Sequence, residues 1–567
     1  MGQYGHYQFG FLKTFTEVII SVFFFLILQI GDSGAQEGTI LRDVTESYGL
    51  SGQQSQRVSF ADLDHDGLPD LVVGGTRVWM NRATRFERSA WEAQKRVDYC
   101  AIADVNNDGN LDIFLGRSSD LSDAKFIDDG LRNEIWLGEG TGVFRVVGDH
   151  GVGKHAETSM SACFLDIDRD GCLDLFVGSS YTAYGKSYEA FPDRLYQGSG
   201  DGKFCEITKK AGLLLKSMPG LQESRRPTYG VTHTDWNNDG YQDLLVMSYG
   251  RQGNRLWKNN GDGTFTDVGK ETSFDGDAER SGLYPPEVAS LGRSPEPPFR
   301  SHGNTFDAAV ADFDNDGDMD CFLAEITHWW AGQSSDRSML LINEGREKQF
   351  AFTRDPKRIK RIHAHANWNQ GDMHAGWIDI DNDGLLDLLI ASSDYPDEQI
   401  LRLWHQEEDH SFDEWTDRLG VRWINANQLS LADIDRDGST DIVLSSSNRR
   451  LTKEQKQGRT AHIGLFKNTL PERLGNHFLN IRLEGLAIGA RVFVKTGQRE
   501  QVREVYGGLG HAGHRDDTDC RFGLGKALKA DLVRVIWPDG FSSTYRDVVA
   551  DTFYTLAKGG KLNVQNH

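Results

Sequence analysis

Cysteine is scarce: Cys100, Cys163, Cys172, Cys205, Cys321 and Cys520 are the 6 in 567 residues. That excludes a scaffold built on disulfides, although one or two bridges remain open in an oxidising compartment. With no C-x-x-C pair there is no thiolate metal site either. Positive charge is in deficit, with 62 Lys and Arg against 84 Asp and Glu for a formal charge of −22. Nucleic acid and anionic membrane surfaces are therefore excluded as main partners. The one long apolar run, Val18 to Ile30, follows Lys13 and precedes the small residues Ser33-Gly34-Ala35. It is too short to cross a bilayer comfortably, so residues 1–35 read as a signal peptide, with an uncleaved anchor as the alternative. No integral membrane span is expected in the mature chain. Asn-x-Ser/Thr sequons and an HExxH pair are absent. Proline is sparse at 13 while glycine reaches 62, the balance of a turn-rich folded protein.

What is present is a nine-residue pattern repeated along the chain: Asp, any, Asp or Asn, any, Asp, Gly, any, any, Asp. Its candidate ligand positions are the first, third, fifth and ninth. The first two copies supply Asp62, Asp64, Asp66 and Asp70, then Asp104, Asn106, Asp108 and Asp112. The third and fourth supply Asp166, Asp168, Asp170 and Asp174, then Asp235, Asn237, Asp239 and Asp243. The last three supply Asp312, Asp314, Asp316 and Asp320, then Asp379, Asp381, Asp383 and Asp387, then Asp433, Asp435, Asp437 and Asp441. Repeats of this period mark solenoids or propellers. Short apolar strands flank each copy, as in Leu71-Val72-Val73 and Leu388-Leu389-Ile390. A third strand follows (Val78-Trp79-Met80-Asn81) and then a fourth opening on Phe204 or Phe265. Four short strands per repeat make a propeller blade. The last repeat stops after Leu465-Phe466-Lys467-Asn468, and its missing outer strand is Leu41-Arg42-Asp43-Val44-Thr45. The expected fold is all-β: a seven-bladed propeller over 36–470, closed by its N-terminal strand, with a small β-domain over 474–567.

Calcium takes six to eight oxygen ligands, and carboxylates at positions 1, 3, 5 and 9 of a tight loop converge on one point. Glycine at position 6 permits the sharp turn. The first loop has Val73 at position 12 and strands on both sides, which excludes an EF-hand. About seven structural Ca2+ are expected; they would contribute +14 and leave −8 of the −22 charge. The alternative is a hydrophilic Asp-Gly hairpin holding no ion.

These repeats resemble the FG-GAP/VCBS repeats of integrin α-subunit propellers. Three later stretches, Ile488-Gly489-Ala490-Arg491-Val492, Phe522-Gly523-Leu524-Gly525 and Val535-Ile536-Trp537-Pro538-Asp539-Gly540, resemble the ASPIC/UnbV domain. The pair of domains is similar to the cartilage acidic protein family, and the resemblance implies an exported calcium-binding protein. Where that family has an aromatic-x-Ser-Gln element this chain reads Gly510-His511-Ala512-Gly513-His514, whose histidines are expected on a surface loop. The strands of this domain read as a small antiparallel unit.

Alternation along the first strands places Arg57, Tyr99, Ser161, Gly230, Asp307, His374 and Gln428 in a polar ring at the axial mouth opposite the acidic loops. Rim segments add Tyr181, Tyr249, His302, His328, Trp329, Trp330, His363, His365, Asp394 and Tyr395. The favoured reading is a hydrated channel in a binding or adhesion module for an extracellular protein or carbohydrate. The alternative is an enzyme, a lyase or hydrolase acting on a small polar or sugar substrate. Its metal or acid–base site would be built from His302, Asp307, His328 and His374, which suit an additional transition metal.

Overall fold

Each acidic nonapeptide forms the hairpin between the first and second strands of a four-stranded antiparallel sheet. The computed structural model describes residues 39–117, 126–279, 284, 297–361, 369–393, 399–449, 451, 453–456 and 461–565. The expected leader at 1–35 and His363, His365, Asp394 and Tyr395 lie outside these.

The first sheet runs Val58–Ala61, Asp70–Val73, Arg77–Asn81, Phe86–Glu92, and the second Tyr99–Ala103, Asp112–Gly116, Glu134–Gly138, Phe144–Val146. The third is Ser159–Leu165, Asp174–Ser179, Arg194–Gly198, Phe204–Glu206, and the fourth Thr228–Thr234, Asp243–Ser248, Arg255–Asn259, Phe265–Asp267. Thr305–Ala311, Asp320–Thr327, Met339–Asn343 and Phe352–Asp355 follow in the same order. Gln370–Ile378, Asp387–Ser392, Leu401–Gln406 and Phe412–Glu414 come next, joined to the preceding sheet where Thr327 pairs with Gln370. Ala426–Ala432, Asp441–Ser446 and Ile463–Asn468 are completed by Leu41–Asp43, with Leu41 opposite Asn468. The N-terminal strand thus supplies the outer edge expected of it, and an otherwise bare edge is covered. All-β sheets of this kind, side by side, have the organisation of a β-propeller.

Cores form between neighbouring sheets. Phe60, Ile102, Phe164, Val310 and Leu431, each two residues before its loop, are all buried there. Beyond the propeller sheets lie two more. One orders Cys520–Gly525, His477–Glu484, Thr552–Ala557 and Asn563–Val564; the other orders Arg499–Glu504, Arg491–Thr496, Lys529–Ile536 and Ser542–Val549. The C-terminal unit is not wholly antiparallel as the alternation suggested, because His477–Glu484 and Thr552–Ala557 pair in parallel. Hydropathy alternation reports which face is buried, and strand direction leaves no mark on it. Among the described residues no helix is long and apolar enough to cross a membrane.

Candidate metal loops and the axial plug

The seven loops share one set of hydrogen bonds. The first aspartate accepts from the backbone N–H of the glycine five residues on, as in Asp62 to Gly67 at 3.1 Å and Asp433 to Gly438 at 2.8 Å. The fifth accepts from the N–H two residues on, as in Asp66 to Leu68 at 2.9 Å and Asp383 to Leu385 at 2.8 Å. The ninth staples strands: Asp70 accepts from Leu63 at 2.8 Å and from Asn81 on the third strand at 2.7 Å. Position 4 takes a left-handed conformation, from His65 at φ 60 to Asn382 at φ 57 and Arg436 at φ 57, and the glycine at position 6 follows at φ 90 in Gly67. This backbone coil turns the side chains of positions 1, 3 and 5 to one side.

Carboxylate oxygens then meet. Asp62, Asp64 and Asp66 converge within ligand-sharing distance, as do Asp166, Asp168 and Asp174, then Asp312, Asp314 and Asp316, then Asp379, Asp381 and Asp383. Several inward oxygens are buried without a hydrogen-bond partner: Oδ1 of Asp62, Asp64, Asp166, Asp314 and Asp435. A buried, unpaired carboxylate oxygen is costly. Burial, with the neighbouring carboxylates, pushes Asp166 up to about 6 and Asp312 up to about 8. Burial likewise raises Asp70 to about 8, against the two backbone N–H groups it accepts from. Hard oxygens with free lone pairs, converging from a rigid turn, fit a calcium ion held by positions 1, 3, 5 and 9.

The loops are not equivalent. Arg82 reaches Asp64 at 2.8 Å and Asp66 at 3.3 Å in the first, and Lys467 pairs with Asp435 and with Asp437 at 3.1 Å in the seventh. Gln197 donates to Asp168 at 2.7 Å in the third. Spacing within the nonapeptide carries no record of these cross-strand partners.

Along the first strands, the segment from Tyr506 to Asp519 occupies the axis. Gly507 C=O accepts from Phe164 N–H at 2.9 Å and Gly510 C=O from Val231 N–H at 3.2 Å and from Ser161 Oγ at 2.5 Å. Arg515 C=O accepts from Phe60 N–H at 3.1 Å and Ser430 Oγ at 2.6 Å, while its guanidinium donates to Ile102 C=O at 2.6 Å. Asp517 N–H donates to Leu431 C=O at 3.0 Å. His511 and His514, expected on a surface loop, are 3% and 2% exposed. His511 Nδ1–H donates to Tyr229 C=O at 2.7 Å, which leaves Nε2 to accept from Arg57 at 2.9 Å. His514 Nδ1–H donates to Leu509 C=O at 2.8 Å, and its Nε2 accepts from His374 at 2.8 Å. Burial, with Arg57 adding to it, holds His514 down to about 3. The polar ring read from alternation is therefore real, and this chain's own loop fills it.

The four residues of the proposed acid–base cluster divide. His374 Nε2 lies 3.4 Å from Asp307 Oδ2, and burial raises that carboxyl to about 7. His328 stacks on Trp330 at 5.1 Å, and His302 N–H donates to Arg251 C=O at 3.2 Å. Thr327, next to His328, is level with Gln370, and four residues of strand, roughly 13 Å, separate that level from His374. The plug escaped sequence reading because its partners lie hundreds of residues away. Its one local signal was glycine: Gly507, Gly508, Gly510 and Gly513 pass where a Cβ would strike strand backbone or Asp307.

The C-terminal unit also covers the loop face. Arg482 pairs with Asp62, Arg491 lies 3.8 Å from Asp235, and Gly523 N–H donates to Asp379 Oδ2 at 3.1 Å. Arg499 donates to Asp383 C=O at 2.5 Å. Cationic side chains thus cap the acidic turns from outside.

An FG-GAP-like repeat model matches residues 104–177, 235–286 and 379–444, and an ASPIC and UnbV model matches 482–563. The chain carries FG-GAP-like repeats and an ASPIC/UnbV domain. No curated protein matches the sequence of this FG-GAP chain. Among solved structures it is similar to the Photorhabdus luminescens Tc holotoxin pore, at 14% identity and TM-score 0.30, over 80% of this chain and 18% of that one. It is similar to an ancestral GH74 enzyme at 10% identity and TM-score 0.39, over 75% of this chain and 47% of that one. A Bacillus licheniformis rhamnogalacturonan lyase of PL11 matches at 11% identity and TM-score 0.33, over 89% of this chain and 87% of that one. The FG-GAP chain spans less than half the length of the first two. Superpositions this loose fix neither fold nor activity.

Proposed function

We propose that this chain is an exported, calcium-stabilised, seven-bladed propeller over 36–470, stoppered by a β-domain over 474–567. It serves as a binding or adhesion module for an extracellular protein or carbohydrate. The observation that carries the calcium reading is the set of buried, unpartnered Oδ1 atoms on Asp62, Asp64, Asp166, Asp314 and Asp435. A divalent cation in each of these four loops would satisfy them.

Binding is favoured over catalysis because Asp307 and His374 are committed to the plug, while His302 and His328 stand elsewhere. Above the plug a cavity of ≈ 780 Å³ remains, lined by Arg57, Tyr99, Tyr184, Tyr229, Tyr249 and Phe306 and floored by His511. Tyr229 and Tyr249 stack at 4.4 Å. An aromatic wall with a few charged groups suits a sugar ring or a protein side chain.

Metal analysis and unfolding with and without EGTA test the calcium reading. At 2 mM Ca2+ and a Kd of about 10⁻⁴ M, each loop contributes about 1.8 kcal/mol, so chelation lowers the melting temperature sharply. Identical melting curves, with no bound calcium, overturn it. Glycan-array or cell-surface binding lost in Tyr229→Ala supports the module, and retained binding argues against this cavity. A turnover abolished by Asp307→Ala in folded protein would favour an enzyme.

A further inference from the structure

One loop differs in kind from the rest. The ninth aspartate of each nonapeptide accepts from a third-strand N–H; from the position just before that donor, Gln197, Lys258, His405 and Lys467 reach their loop's aspartates, and the residue there differs from repeat to repeat. It is Met80, Leu137, Gln197, Lys258, Ile342 or Lys467 in six repeats, and His405 in the sixth.

His405 is held from three sides. Its ring lies flat on Trp415, centroids 3.6 Å apart and planes 1° from parallel. Its Nδ1 lies 3.3 Å from Glu407 Oε1, an acceptor for the Nδ1 proton, and in the neutral ring that tautomer leaves the lone pair on Nε2. That Nε2 faces Asp381 Oδ2 at 3.5 Å and Asp387 Oδ1 at 3.9 Å. The residue is 7% exposed, and Nε2 is buried with no hydrogen-bond partner. One ring nitrogen and two carboxylate oxygens thus face one space.

We propose that the sixth loop is a transition-metal site of the zinc class, with His405 Nε2, Asp381 and Asp387 as ligands. It rests on the reading that these loops hold cations, and it assigns this one a different ion. Zinc sits about 2.0–2.2 Å from imidazole nitrogen and carboxylate oxygen. A tetrahedron of that size has edges of roughly 3.3–3.6 Å, close to the spacings around His405. Imidazole suits zinc-class ions, while calcium takes oxygen alone. A ligating histidine whose other nitrogen is fixed by a carboxylate is the usual outer-shell arrangement, and Glu407 supplies it.

The competing occupant is a proton, giving an imidazolium that bridges the aspartates as the Lys467 ammonium does in the seventh loop. The test loads chelator-stripped full-length protein with Zn2+ alone and then dialyses it against millimolar Ca2+. One Zn2+ per chain is expected to survive. His405→Gln should weaken Zn2+ retention at least tenfold with Ca2+ content unchanged, and Glu407→Gln about tenfold. No retained Zn2+, or equal retention in His405→Gln, overturns the proposal. Should that variant fail to fold, Co2+-loaded wild type decides: a paramagnetically shifted, exchangeable imidazole N–H is expected, and its absence overturns the assignment. Calcium and zinc are counted in the same sample. Calcium without zinc sinks this site alone, and zinc without calcium sinks the general calcium reading alone.

Discussion

Gly510 sits where a methyl group has no room. Its φ of +44 is left-handed, and a Cβ there would run into Asp307 Oδ1. Gly510→Ala should therefore displace the plug, at a cost above about 2 kcal/mol in urea unfolding. His514 gives a second prediction. Burial holds its folded value at about 3, against about 6.5 when unfolded. The folded state binds fewer protons, so the stability His514 contributes is present above pH 6.5 and lost as the pH falls. The advantage of wild type over His514→Gln should narrow by about 2 kcal/mol between pH 7.5 and 5. Asp307, raised to about 7, has the opposite sign: its contribution is full below about pH 4 and fades as the pH rises through 7. At this scale alternation along strands revealed that Arg57, Ser161, Asp307, His374 and Gln428 line the axis, but not what they grip.

Among elements, the N-terminal strand was the most legible. A sheet ending at Asn468 lacked a fourth strand, Leu41–Asp43 matched the gap, and Leu41 indeed pairs with Asn468. Removing residues 39–45 bares the edge of Ile463–Asn468. Such edges recruit other chains, so light scattering should report dimers or larger aggregates where wild type stays monodisperse under the same conditions. The acidic turns were legible as turns because position 6 needs left-handed backbone, which glycine provides; position 4 is left-handed as well, but His65, Arg169 and Arg436 stand there beside the asparagines and gave no signal. Their cross-strand partners Arg82, Gln197, His405 and Lys467 were not. Those residues lie on, or in the case of Arg82 just beyond, a strand whose register is set only when the sheet forms.

For the whole molecule, charge complementarity joins the two halves: arginines of the ASPIC/UnbV domain meet the acidic turns. Asp62 receives Arg482 on one oxygen, while its other oxygen is buried and unpartnered. Arg482→Met leaves Asp62 and Asp519 without that partner, a change that costs about 3–5 kcal/mol when a buried pair is broken. Under the calcium reading a bound ion compensates Asp62 in part, so the loss should be larger in EGTA than in Ca2+, as read by urea unfolding in each. Equal losses would mean that the arginine and the ion site are independent. The docking itself left no trace in periodicity, since arginines on a strand face look the same whether solvent or another domain lies beyond them.

Closure between Thr45 and Leu465 spans 420 residues. At a ribosomal output of 5–20 residues per second, the earliest strand waits roughly 20–80 s for its mate. A prematurely terminated polypeptide lacks both that mate and the axial stopper, which is made later still. Unfinished products therefore keep a raw edge and an open bore, marks by which chaperones and proteases can tell them from completed ones.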